Sequence, residues 1–177
     1  MRVTPLAVWC QNLTKNSVAN AVHEDVTITH AKLLVDQAII AYCLAIKYLI
    51  NNPTEENRAQ AAFDVAHAFS KESWVMRELQ EWLVKAKCLA GWEGKRNKKG
   101  FIELTQYNPQ VKMGLMKHAI ILAFYCLLRI QAQFVDNQAE AFDFAMRQTS
   151  MLAGDTDTNC AIVGGLVGAY LGVKMIP

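Results

Sequence analysis

The chain has 177 residues, 53% of them hydrophobic and 19% charged, and its 18 basic and 16 acidic side chains leave a formal net charge of +2. That length suits one domain spanning residues 1–177, with roughly 70% of the unfolded surface hidden on folding, and the apolar content excludes a disordered chain. So balanced a charge argues against a nucleic-acid backbone or an acidic membrane surface as a partner.

The N-terminal run MRVTPLAVWC has one charge, no long apolar core and no small-residue cleavage site, so it does not read as a secretory signal. It leads straight into apolar residues without a cap, as if the chain began inside a fold. From there apolar residues recur at three- and four-residue spacing, which predicts an all-α fold. Helices are expected at 15 to 24, 31 to 51, 55 to 69, 72 to 90, 110 to 132, 138 to 151 and 159 to 173. Asn51-Asn52-Pro53 stops the second of these, and Thr54 is placed to cap the next, with Glu55 and Glu56 in its first turn. Asn108-Pro109 reads as another helix start.

Between Gly91 and Tyr107 lies a loop carrying Lys95, Arg96, Lys98 and Lys99, a basic run that reads as a solvated tip or a phosphate grip. The longest unbroken apolar run, Ala119 to Leu128, is about half of the ~20 residues a membrane span needs, so it reads as a buried helix. Gly164, Gly168 and Gly172 form a small-residue stripe suited to close packing in a soluble core. Cys10, Cys43, Cys88, Cys126 and Cys160 are widely spaced and odd in number. That favours free thiols in the cytoplasm or another reducing compartment over a disulfide framework or zinc knuckle.

One segment reads as a site: Gly154-Asp155-Thr156-Asp157-Thr158, leading into a helix of small residues. Two carboxylates two positions apart with an adjacent hydroxyl present hard oxygen donors suited to Mg²⁺. The same residues also suit a simple helix cap, and the spacing alone leaves both readings open.

The run Ala153-Gly154-Asp155-Thr156-Asp157-Thr158-Asn159-Cys160-Ala161-Ile162-Val163-Gly164-Gly165 closely resembles the C-terminal signature of the ADP-ribosylglycohydrolase family. Met1-Arg2-Val3-Thr4-Pro5-Leu6 resembles the segment after that family's phosphate-contacting loop. Thr29-His30 resembles its T-H pair at a helix start, and Lys117-His118-Ala119 has the family's order before the signature. The resemblance implies a compact, multi-helix, orthogonal bundle, incomplete on its N-terminal side. It also implies two bound Mg²⁺ ions and hydrolysis of the bond between the terminal ribose of ADP-ribose and a protein side chain or small molecule. It makes Asp155, Asp157 and Thr158 metal ligands and His30 a contact to ADP-ribose, where a histidine satisfied by its neighbours is the alternative. No catalytic residue is carried over, and His23, His67 and His118 receive no role.

The family's other metal cluster contains consecutive aspartates, and no Asp-Asp pair occurs in this sequence. Paired ions ~3.5 to 4 Å apart each need their own donors, and Mg²⁺ demands near-octahedral coordination. Two expectations follow. One is a glycohydrolase acting on ADP-ribosylated proteins or small molecules, with its site completed by a second chain or an N-terminal segment. The other is an inactive relative serving as a scaffold subunit.

Overall fold

Every residue from His118 to Ile130 is buried, so the longest apolar run of the sequence forms the hub of the fold. The computed structural model describes residues 2–93, 104, 107–134 and 138–176, apart from the side chains of residues 138 and 139. The basic run Lys95, Arg96, Lys98 and Lys99 lies outside them. The described residues form eight α-helices and no strand: α1 (Val3–Trp9), α2 (Lys15–Thr27), α3 (Leu33–Asn51), α4 (Arg58–Phe69), α5 (Arg77–Ala90), α6 (Met116–Gln133), α7 (Gln138–Met151) and α8 (Thr156–Leu171). The fold is all-α.

Two helices organise the rest. The hub helix α6 packs between α5 and α8, and α3 packs on α1, α2, α4 and α8. Their buried faces carry Tyr42, Ile46, Leu49, Phe124 and Leu127, each worth about 1.5 to 3 kcal/mol on leaving water. By length and hydropathy alone α3 could cross a membrane, and 56% of its most apolar stretch is buried inside the fold. All five cysteines are free.

Several helix ends differ from the sequence reading, and the causes are long-range. Helix α4 starts at Arg58 rather than 55, and Thr54 does not cap it. Gln131 of α6 reaches across instead, its Oε1 accepting from the Ala59 N–H at 2.8 Å. Helix α5 starts at Arg77 rather than 72, because buried Gln37 takes the Met76 N–H at 2.8 Å and donates to the Trp74 carbonyl at 2.9 Å. Asn108-Pro109 does not open α6. The Asn108 side chain accepts from the Gln110 N–H at 2.9 Å, and left-handed backbone at Lys112 and Gly114 delays the helix to Met116. The apolar start of the chain, where no helix was placed, forms α1.

Helix α8 begins three residues earlier than expected and ends before Gly172, which leaves it with φ 77°. Gly172 therefore terminates the helix and does not share its packing stripe. The close approach is made by Gly165: a Cβ there would lie 2.3 Å from Thr4 Oγ1 and 2.5 Å from the Tyr42 hydroxyl. Those two groups form one chain of hydrogen bonds. Tyr42 donates to the Ile162 carbonyl at 3.0 Å and accepts from Thr4 at 2.8 Å, locking α1, α3 and α8 together.

Candidate functional site

Two consecutive residues in left-handed conformation, Ala153 (φ 57°) and Gly154 (φ 84°), swing the chain from α7 into α8. Gly154 has no alternative, since a Cβ would meet the Pro109 carbonyl oxygen at 2.8 Å. That contact presses the 107–115 loop onto the turn. A second glycine, Gly114, brings the same loop beside the Asp155 carboxylate, 4.0 Å from where its Cβ would stand. The loop is held from the other side by buried His118, whose Nε2 donates to the Val111 carbonyl at 3.0 Å while Nδ1 accepts from the Tyr107 hydroxyl at 2.7 Å.

Asp155 occupies the N-cap position of α8, yet its side chain makes no capping hydrogen bond. It lines a cavity of about 400 Å³ together with Thr158 and Asn159 from the same helix face. That volume lies within the ~300 to 1,000 Å³ usual for small-molecule sites. The far wall comes from the last turn of α2, with Asp25, and the α2–α3 connection, with Thr29 and His30, and one edge carries Arg2. Between these polar groups the lining is apolar, including Val35, Ile39, Met116 and Ile120.

Asp157 is exposed in the first turn of α8 and does not line the cavity. The Thr158 backbone N–H and the neighbouring Asp155 carboxyl hold its carboxylate below the usual range. The positive end of the helix dipole acts on Asp157 in the same direction. His30 is exposed and follows the end of α2 rather than opening α3. Its Nδ1 lies 2.9 Å from Thr29 Oγ1, and its ring remains at the cavity edge. Asp155, Thr158 and His30 thus converge on one cavity, with Asp157 beside it.

Five polar lining residues, Arg2, Asp25, Thr29, Tyr42 and Asn159, carried no separate assignment in the sequence. The guanidinium of Arg2 bonds both Asp25 carboxylate oxygens, at 3.1 and 3.2 Å, and the Asp25 carbonyl at 2.6 Å. An exposed pair of this kind contributes only ~0.2 to 1 kcal/mol, so its main effect is to fix a cation at the cavity rim. Tyr42 contributes a wall, and burial raises its hydroxyl well above the ordinary phenol value, which keeps it protonated. Asn159 is buried against the cavity. Arg2, Thr29 and Asn159 do fall inside the quoted motif runs, whereas nothing local marks Asp25 or Tyr42.

Among the described residues no group of three or more histidine, cysteine, aspartate or glutamate side chains is placed to hold a metal ion. Two carboxylates and a hydroxyl at the start of α8 have the hard-oxygen chemistry for one Mg²⁺, provided that water or ligand fills the remaining positions. The donor set fits a cation as a partial shell. The family model for ADP-ribosylglycohydrolase matches residues 1–177. No curated protein and no solved structure matches the chain.

Proposed function

The chain belongs to the ADP-ribosylglycohydrolase family, and on that footing we propose that its cavity takes the ribose end of ADP-ribose for Mg²⁺-dependent glycohydrolase chemistry on modified protein side chains or small molecules. The supporting observation is the convergence of Asp155, Thr158 and His30, from segments 125 residues apart in sequence, on a single cavity. Asp155, Asp157 and Thr158 would hold a Mg²⁺, whose chemistry is to polarise a bound hydroxyl or water and orient the ribose. Arg2, fixed by Asp25, supplies positive charge at the rim where a diphosphate would enter, and His30 presents an imidazole beside it. The apolar walls exclude water around the sugar.

One partial shell does not make a dinuclear centre. The 177 residues contain no Asp-Asp pair, so the second ligand set comes from another polypeptide segment or a partner chain. In the native assembly, ADP-ribose release from a modified protein should require Mg²⁺ and fall at least a hundredfold with Asp157→Ala. Activity that survives that substitution removes the assignment. The same missing pair favours a second reading, an inactive scaffold subunit, which is the conclusion if the assembly binds ADP-ribose in Mg²⁺ without any turnover.

A further inference from the structure

Asn159 is 2% exposed and lines the cavity, and its side-chain Nδ2 has no hydrogen-bond acceptor among the described residues. A buried donor left unmade destabilises a fold, and an aliphatic side chain of similar size would pack at this helix position without that penalty. Asp36 Oδ1 and His67 Nε2 also lack partners, and neither residue lines the cavity. At Asn159 the missing partner therefore coincides with a cavity from which a ligand can supply it.

The neighbouring groups decide what that partner is. Asp155 lies four positions earlier, its carbonyl accepting the Asn159 N–H at 2.9 Å, so the two side chains share a helix face. An amide NH₂ donates and an ionised carboxylate accepts. A phosphate oxygen can only accept, and so satisfies the amide alone, whereas a hydroxyl accepts from the amide and donates to the carboxylate. We infer that Asn159 is a specificity-determining residue whose Nδ2 donates to a hydroxyl of the terminal ribose, the same sugar that faces Asp155. This rests on the ADP-ribose reading of the cavity.

The test is calorimetric titration of the full chain with ADP-ribose and with ADP in Mg²⁺ buffer, alongside thermal unfolding, for the wild type, Asn159→Leu and Asn159→Ala. Both variants should lose about tenfold in ADP-ribose affinity, keep the wild-type affinity for ADP, which lacks the terminal ribose, and Asn159→Leu should melt no lower than the wild type. A wild type that fails to bind ADP-ribose overturns the reading of the cavity and this inference with it. A wild type that binds while both variants bind equally well overturns the inference alone. An equal loss for ADP, or a lower melting temperature for Asn159→Leu without a selective affinity loss, assigns Asn159 a structural role and also overturns it.

Discussion

Ala153 holds φ at 57°, a conformation in which its Cβ crowds the backbone and which glycine adopts freely. Ala153→Gly should therefore stabilise the protein by about 0.5 to 1 kcal/mol, read as an upward shift of roughly 1 to 4 °C in melting temperature. Gly154→Ala should do the opposite and more strongly. It combines a left-handed backbone with a Cβ only 2.8 Å from the Pro109 oxygen, and a loss of at least ~2 kcal/mol is expected in urea unfolding. The glycine was legible in the sequence as the first residue of the segment that leads into α8. For the alanine before it, only the backbone geometry shows that the residue carries strain. Asp155 illustrates the same limit, because the D-x-D spacing is equally consistent with a cap until its side chain is seen making no capping bond beside a cavity.

Helices were legible wherever periodic apolar residues decide the matter, and α7 has its expected limits of 138 to 151. Their ends were less so, because the groups that settle them come from other helices. Thr54 carries the local signature of a cap, yet the first turn of α4 is satisfied by Gln131, seventy-two residues away. Gln131→Ala should accordingly cost about 1 kcal/mol in chemical denaturation, and Thr54→Ala should stay within ~0.5 kcal/mol of the wild type. The reverse order would restore the local cap. A related cross-link joins α5 to α6, where buried Arg129 donates to the Ala90 carbonyl at 2.7 Å at the negative end of α5. The 107–115 loop, read as helix from its Asn-Pro start, is instead folded by two left-handed residues and by His118, to which no role was assigned.

At the scale of the whole molecule, the cavity draws on the start of α1, the end of α2 with the α2–α3 connection, α3, the loop before α6 with the start of α6, and the start of α8. Its polar groups look ordinary in their own segments. This is why the motif residues could be singled out from sequence while Asp25 and Tyr42 could not. The hub helix and the Thr4–Tyr42–Ile162 chain set those stretches in register, so the cavity depends on packing as much as on its lining. The metal role proposed for the donors at the start of α8 rests on their hard-oxygen chemistry, with the rest of the shell left to water, ligand or another segment. Titration of the full chain with Mn²⁺, followed by electron paramagnetic resonance of the free ion in the presence of ADP-ribose, tests this most directly. Saturable binding of one ion, weakened at least tenfold by Asp155→Ala and by Asp157→Ala, is the expected result, and binding that is absent or indifferent to both substitutions would contradict a metal role for these aspartates.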